Sequence, residues 1–247
     1  MANTTKPARE GQIPDVPANK DLATPTDGAA KAPLTFDEQV AALDRFIHFE
    51  PLIREIDYQT LLFCDERREL SEVEEAMAAF PEFPGATRDQ FALITELVDH
   101  GGLALFELDG AGHVVTEADK EGLTENEVDD LVERFAYQTT DVGRAVAAAM
   151  EPSLRFAELV EATPEREPLY RALMALLRER QSFAAVDTYL RSPEGLRIMA
   201  EAGCGGMQPS VFVDKLERAG MLCYHGGWQT TEAGVKVLEA AETAAAA

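Results

Sequence analysis

The residues best suited to catalysis are few and widely separated in this chain. Its four histidines are His48, His100, His113 and His225. None of them stands beside a serine, a cysteine or a carboxylate in a pattern known to activate a nucleophile or transfer a proton. Each is more simply explained as a surface or core histidine. The sequence therefore predicts no catalytic residue and no enzyme activity.

One short segment contains residue types that bind zinc. Cys223 and His225 are separated by one residue, and Cys204 lies upstream. Zinc sites usually take their ligands from closely spaced pairs, and neither a CxxC pair nor a second histidine pair is present. The turn "ELDGAGH", from Glu107, lacks the alternating ligands of a calcium loop, and no glycine-rich phosphate loop occurs. We expect no metal and no cofactor, and we interpret Cys64 and Cys223 as small buried hydrophobic residues.

Composition and charge restrict the class of protein. Hydrophobic residues make up 46% of the 247 positions, and no apolar run approaches the roughly 18 residues that a membrane span needs. Residues 1–34 are rich in Pro, Thr, Ala and Asp without the apolar core of a secretory signal, which predicts a disordered tail. Three cysteines at unrelated spacings fit a reducing compartment. We expect a cytoplasmic protein with no membrane partner.

The negative charge is concentrated in one part of the chain. The net charge is −23. Residues 35–152 hold 28 acids and 8 bases, whereas residues 153–247 hold 13 acids and 10 bases. A field of this sign repels phosphate backbones and favours basic partners.

One pattern occurs twice, as "YQTTDVGRAVAAAM" from Tyr137 and "WQTTEAGVKVLEAAE" from Trp228. Each copy follows an amphipathic helix, a glycine stop, a strand and a turn. Further upstream, "EPLIREI" from Glu50 matches "EPLYRAL" from Glu167. In addition, "ERRELSEVEEAM" from Glu66 aligns without a gap to "ERQSFAAVDTYL". Similarity at three separate places indicates an internal duplication.

The chemistry of each QTT segment predicts where a strand ends and a helix begins. Thr140 or Thr231 can cap the helix through its hydroxyl, and the following acid suits the positive end of the helix dipole. Gly143 and Gly234 are poor helix formers, so their place in the first turn indicates close packing against the preceding hairpin. The aromatic residue that begins each segment, Tyr137 or Trp228, is expected to pack on the helices of its own copy or at the interface between the copies.

The predicted helices follow from apolar periodicity and stop signals. For the first copy they lie near 36–48, 51–66, 71–80, 87–100, 124–134 and 141–161. For the second copy they lie near 167–180, 183–191, 194–202, 208–219 and 231–243. We divide the chain into the tail 1–34, a first domain 35–152 and a second domain 153–247. The fold class is mainly α with short β-hairpins, that is, α+β.

This order of helices, hairpin and "TT-acid-x-Gly" turn resembles the winged helix-turn-helix superfamily, over residues 36–152 and 166–242. The resemblance implies two tandem winged-helix domains and no particular regulator family. The first wing carries an acidic insertion, about Val114 to Phe135, whose apolar residues are expected to face inward. These residues are Leu123, Val128, Leu131, Val132 and Phe135. The alternative architecture is a helical bundle with two incidental hairpins.

In winged-helix DNA binders the helix before the wing reads the major groove. In the first copy that helix has only one base, Arg88. So few cations argue against DNA binding by this copy. In the second copy the candidate DNA contacts are Gln208, Ser210, Lys215 and Arg218. We expect a non-enzymatic scaffold for protein interaction or dimerisation, in the setting of transcription regulation, whose partner is a second copy or a basic protein. The alternative is a transcriptional regulator that binds DNA directly through the second domain.

Overall fold

The computed structural model describes residues 33–50 and 53–246. The predicted disordered tail, residues 1–34, lies almost entirely outside these residues, and so do Pro51 and Leu52. The described chain is mainly helical, with small antiparallel sheets. Residues 34–247 form one compact unit.

The first half of this unit, residues 35–150, contains a three-stranded sheet. Its elements are α1 (Phe36–Phe49), α2 (Arg54–Phe63), β1 (Arg68–Glu69), α3 (Leu70–Ala79), α4 (Gln90–Asp99), β2 (Leu103–Leu108), α5 (Glu117–Lys120), α6 (Glu125–Leu131), β3 (Arg134–Thr139) and α7 (Asp141–Ala149). The strand order is β1-β3-β2, and both pairings are antiparallel. Tyr137 on the central strand lies opposite Arg68 on one side and Leu105 on the other.

The second half, residues 151–246, has a similar order with shorter strands, one additional helix (α11) and no counterpart of α5 and α6. Its elements are α8 (Pro152–Ala162), α9 (Glu167–Leu176), α10 (Phe183–Leu190), α11 (Pro193–Glu201), α12 (Pro209–Arg218), β4 (Leu222–Tyr224), β5 (Trp228–Thr230) and α13 (Glu232–Ala246). Strands β4 and β5 form an antiparallel hairpin. Gln181 and Trp228 exchange two backbone hydrogen bonds of 2.9 and 2.8 Å, which places Gln181 where β1 lies in the first half.

Side-chain caps mark the starts of several helices. Thr35 and Glu38 form a reciprocal capping box at the start of α1, and Thr124 and Glu127 form one at α6. The Ser192 hydroxyl accepts a hydrogen bond from Gly195 N, 3.1 Å away, at the start of α11. These polar residues satisfy N–H groups that have no partner within the helix.

Each half has its own hydrophobic core. The first is built from buried residues of α1 to α4, β2, β3 and α7, and the second from residues of α8 to α13 with β4. Helix α1 packs against α7, and α8 packs against α13, so the first helix of each half covers its last. Tyr137 is buried in the first core, and Trp228 is half-buried against the second. The predicted packing of these two aromatic residues is confirmed.

The predicted single helix over 141–161 is wrong. Helix α7 ends at Ala149, and α8 begins at Pro152. Proline has no N–H and disfavours helical backbone in the residue before it, and Glu151 accordingly has φ −55 and ψ 124. The Glu151 carboxylate caps the new helix by accepting a hydrogen bond from Leu154 N, 3.2 Å away.

The prediction for the acidic insertion is only half correct. Helix α6 ends at Leu131, and none of its residues is fully buried. Leu123 and Phe135, expected to face inward, are exposed, and Phe135 belongs to β3. The insertion adds one four-residue and one seven-residue helix to a hairpin, and its Val128, Leu131 and Val132 are only partly buried.

The match of "EPLIREI" to "EPLYRAL" is also wrong, by one helical turn. Helix α2 begins at Arg54 and α9 at Glu167, and each runs for 10 residues. Thr139 donates to Leu61 O and Cys64 O, and Thr230 donates to Met174 O and Leu177 O, so Leu61 is equivalent to Met174 and Cys64 to Leu177. An apolar pattern that recurs every turn fits almost as well after a shift of four residues, which explains the error.

Candidate functional site: two outward helix faces and the seam between the halves

The QTT junctions position the rest of each half, and their hydrogen bonds are the same in both. Thr139 Oγ1 donates to Leu61 O, and Thr230 Oγ1 donates to Met174 O, both at 2.6 Å. These bonds tie the end of the central strand to α2 and to α9. Both threonines are buried, so the hydroxyls require the partners that they have.

The next residue in each junction starts a helix. Thr140 Oγ1 accepts from Gly143 N at 3.0 Å, and Thr231 Oγ1 accepts from Gly234 N at 3.1 Å. The same hydroxyls donate to Gly101 O and Gly220 O, at 2.6 and 2.7 Å. The capping predicted for Thr140 and Thr231 is confirmed.

The two glycines allow the helix to approach the hairpin closely. A Cβ atom on Gly143 would lie 2.2 Å from Gly102 O, and one on Gly234 would lie 2.7 Å from Met221 O. The predicted close packing of both glycines is confirmed. Because the obstacle is backbone in both cases, it cannot move aside cheaply.

These junctions place α4 and α12 equivalently, each just before the hairpin and each followed by a glycine with positive φ, Gly101 and Gly220. Leu93, Ile94 and Leu97 are the buried residues of α4, and Phe212, Val213 and Leu216 are those of α12. The exposed residues on the opposite side form an outward face on each helix. On α4 the outward face is Phe91, Thr95 and Asp99; on α12 it is Ser210, Asp214 and Arg218.

The four candidate DNA contacts do not form one cationic surface. Gln208, Ser210 and Arg218 are exposed, and Lys215 is half-buried. The guanidinium of Arg218 is engaged by Asp214, one turn earlier, with Nε donating to Oδ1 at 3.0 Å. The structure therefore places all four residues on α12 or at its start. Of the two bases, Arg218 pairs with a carboxylate, whereas Lys215 has none within ion-pair distance among the described residues.

The other cations of the second half are also largely paired. Carboxylates engage Arg155, Arg171, Arg178, Arg191, Arg197 and Lys236 as well. Four of these pairs join residues one helical turn apart: Arg171 with Glu167, Arg191 with Asp187, Arg197 with Glu201, and Lys236 with Glu232. Phosphate contacts by these side chains would first require them to leave a carboxylate.

The outward face of α4 has different chemistry. Phe91 is 54% exposed; Asp99 lies on the same helix, and Asp89 is the residue that caps its start. The one nearby base, Arg88, is held between Glu50 and Glu96 and is largely covered. The face therefore combines an aromatic ring with negative charge.

A seam joins the two halves through an ion pair that the sequence did not reveal. The Arg155 guanidinium of α8 donates to both oxygens of Glu55 on α2, at 2.7 and 3.0 Å, and to Arg218 O at 2.9 Å. Both side chains are largely buried. Arg54 adds a bond to Glu55 at 3.0 Å and one to Glu217 O at 3.3 Å.

One further contact crosses the seam near the hairpin of the second half. His225 Nδ1 lies 3.1 Å from Pro81 O, within hydrogen-bond distance. Burial raises the pKa of Glu217, an effect that the nearby Arg54 opposes. These partners are far apart in the sequence and belong to no motif, so no sequence signal could have identified them.

Asp57 is a buried acid beneath the α4 side of the first half. It is 1% exposed, and its Oδ2 has no hydrogen-bond partner among the described residues. Burial raises the pKa of Asp57 to about 8; Glu96 and Glu50 raise it further, and Arg88 opposes them. Tyr170 takes the equivalent position in α9, where its hydroxyl is likewise buried without a partner among the described residues.

The residue types considered for zinc do not come together. Cys204 is buried and its Sγ lies 3.2 Å from Ala202 O, whereas His225 is exposed and reaches Pro81. Burial raises the pKa of Cys223 to about 11 and that of Cys64 to about 12, so both thiols are protonated at neutral pH. No group of three or more His, Cys, Asp or Glu in the described part of the chain is arranged to hold a metal ion.

No protein-family model, no curated protein and no solved structure matches this chain. Within residues 33–50 and 53–246, no helix combines the length and apolarity needed to cross a lipid bilayer.

Proposed function

We propose that the chain is a tandem winged-helix protein that acts as a protein-interaction scaffold in transcription regulation. Each half presents helices, a hairpin and a final helix in the order of a winged helix, and the two QTT junctions use the same hydrogen bonds. This supports duplication of one unit, with domains divided near residue 152.

The observation that carries the scaffold function is the outward face of α4. In a winged helix this face would meet DNA, yet here it offers Phe91 with Asp89 and Asp99, and Arg88 is already engaged. Carboxylates repel phosphates, whereas an exposed aromatic ring is the typical anchor of a protein interface. The face fits a basic, amphipathic partner segment.

The test compares two designed helical peptides, one of Lys and Leu and the other of Glu and Leu, binding to the full chain. Anisotropy titration is expected to show saturable binding of the Lys/Leu peptide and none of the Glu/Leu peptide. Phe91→Ser should weaken this binding about tenfold, since a central aromatic anchor contributes about 1–2 kcal/mol or more. Phe183→Ser, on the exposed surface of α10, is the matched control and should leave it unchanged. Equal effects of the two substitutions would contradict a site on α4.

The second candidate function is direct DNA binding through α12. It is favoured by the exposure of Gln208 and Ser210 at the start of that helix and by Lys215. A titration of the full chain with a mixed DNA duplex at two salt concentrations separates the two functions. Salt-sensitive, sequence-selective binding would replace the scaffold proposal with the DNA-reading one.

A further inference from the structure

An open cavity of about 710 Å³ lies in the seam between the two halves. Its walls come from α2, the α3–α4 link, the start of α8, the end of α12 with β4, and α13. Cavities of about 300–1,000 Å³ hold small organic molecules. A molecule in this one would contact both halves at once.

The charge in this cavity is negative after its internal ion pairs are taken into account. Four carboxylates line it, those of Glu55, Glu82, Glu151 and Glu232. Glu55 pairs with two arginines, Arg155 and Arg54, and Glu232 pairs with Lys236 at 2.9 Å. Two carboxylates remain without a cationic partner among the described residues, and they stand on opposite halves.

These two carboxylates are held by neutral groups. Glu82 accepts a hydrogen bond from Gln59 Nε2 at 2.8 Å. Glu151 accepts bonds from Ser153 Oγ and from Leu154 N. Burial raises the pKa of Glu82, which shows that its charge is costly without a counterion.

An unused hydrogen-bonding group lines the same cavity. Tyr58 is 8% exposed, and its hydroxyl makes no hydrogen bond among the described residues. Burial raises the pKa of this phenol, the negative charge of Glu151 raises it further, and Arg155, whose guanidinium lies over the Tyr58 ring at 5.7 Å from its centroid, opposes them. The hydroxyl is therefore a neutral group, and Glu151 is close enough to influence it.

The remaining wall is apolar. The faces of Pro81, Pro152, Ala233, Val237 and Ala240 line the cavity beside the Tyr58 ring. A bare metal ion or a fully hydrophilic amine would leave these faces in contact with water. A ligand with an apolar body would cover them and gain by leaving water.

We propose that the seam cavity binds an amphipathic organic cation, whose charge lies between Glu82 and Glu151 and whose apolar body packs on Tyr58 and α13. Because the ligand contacts both halves, its binding stabilises their arrangement. This inference adds a small-molecule site to the proposed scaffold and does not depend on which macromolecule that scaffold binds.

The test uses two dyes with the same xanthene ring system and opposite charge. Rhodamine 6G is the cationic probe and fluorescein the anionic one, and both are titrated with the full chain by fluorescence anisotropy. We expect rhodamine 6G to bind saturably with one site per chain and fluorescein to bind at least about tenfold more weakly, since a carboxylate pair in a partly desolvated site discriminates strongly by sign. No saturable binding of rhodamine 6G up to 1 mM protein overturns the proposal.

Substitutions then locate the site. The double variant Glu82→Gln, Glu151→Gln keeps the hydrogen-bonding shapes and should weaken rhodamine 6G binding about tenfold. Its matched control is Glu165→Gln, Glu194→Gln, which removes the same charge from exposed positions outside the cavity and should change binding less than twofold. Equal weakening by both pairs would mean general attraction to an acidic surface and would overturn the site.

A second pair of variants tests the apolar wall without changing charge. Ala240→Trp places a large ring in the cavity from an exposed position of α13 and should abolish most of the binding. Ala244→Trp, one turn further along the same helix and outside the cavity, should leave binding intact. Thermal unfolding of the ligand-free Ala240→Trp variant reports separately whether it has folded. Unchanged binding in this variant overturns the proposal.

Discussion

Helices α4 and α12 occupy the same place in the two halves and present different chemistry to solvent. On α4 the outward face is Phe91, Thr95 and Asp99, whereas on α12 the equivalent positions are Ser210, Asp214 and Arg218. The residues behind them hardly differ in role, since both helices bury three apolar side chains in their own core. The comparison teaches that the frame is held by the junction and the core, so the outward face is free to diverge.

The junction glycines provide the strongest test that the frame is shared. Gly143→Ala should reduce the free energy of unfolding by about 3 kcal/mol, because its Cβ would lie 2.2 Å from Gly102 O. Gly234→Ala should cost about 2 kcal/mol, because its closest backbone atom is 2.7 Å away. Urea denaturation measures both.

The controls for these variants come from unobstructed glycines. Gly85 and Gly205 have no atom within 4 Å of an added Cβ. Replacement of either by alanine should change stability by no more than a few tenths of a kcal/mol. If alanine at Gly143 or Gly234 leaves the stability unchanged, the close approach of helix and hairpin is wrong. The gain in helix propensity would then outweigh any clash.

Asp57 offers the largest expected difference between the halves. Its pKa of about 8 in the folded state lies above the ordinary value of 3.8. Below about pH 4 the Asp57 carboxyl is protonated in both the folded and the unfolded chain, so its contribution to the free energy of unfolding is fully present. That contribution is lost as the pH rises through about 8. At pH 7, Asp57→Asn should therefore stabilise the protein by about 2 kcal/mol, because the amide is neutral in both states and takes up no proton on folding.

The pH dependence identifies the cause of that gain. The charged groups that act on Asp57 are Glu96, Glu50 and Arg88. Thermal unfolding between pH 4 and pH 8 should show a decline in the natural protein that is much reduced in Asp57→Asn. Tyr170→Phe, at the equivalent position of α9, removes a hydroxyl without this pH dependence. Parallel pH profiles for Asp57→Asn and the natural protein would show that the carboxyl is already ionised at low cost.

The junction threonines should behave alike in both halves. Thr139→Val and Thr230→Val each remove a buried hydroxyl that donates to a helix carbonyl at 2.6 Å. Each should cost about 1.5 kcal/mol, since a buried acceptor loses its partner. Thr188→Val removes an exposed hydroxyl that bonds to its own helix, and it should cost little. Clearly unequal costs at Thr139 and Thr230 would mean that the two junctions are equivalent in geometry but not in energy.

Local signals predicted the junctions, whereas long-range contacts were beyond the sequence. Capping by Thr140 and the tight packing of Gly143 follow from residue types within a few positions. The pair of Glu55 with Arg155 joins α2 to α8, and neither residue lies in a pattern that points to the other. The break between α7 and α8 could have been predicted, because Pro152 lies within the apolar run and a proline interrupts a helix.

The smallest expected effect concerns DNA. Lys215→Ala combined with Arg218→Ala should change the affinity of the full chain for a mixed duplex by less than about twofold near physiological salt, since few phosphate contacts are available to lose. Residues 35–152 carry a net charge of −20, and Arg218 is already paired with Asp214. Arg191→Ala combined with Arg197→Ala removes the same charge from α10 and α11 and serves as the control. Because exposed ion pairs within a helix contribute only about 0.3–0.5 kcal/mol, neither double variant should disturb folding.

The contradicting outcome is DNA binding by the natural chain with a steep salt dependence that only the α12 variant flattens. The two outward faces would then differ as a protein-binding helix differs from a DNA-reading helix, and the scaffold function would apply to α4 alone.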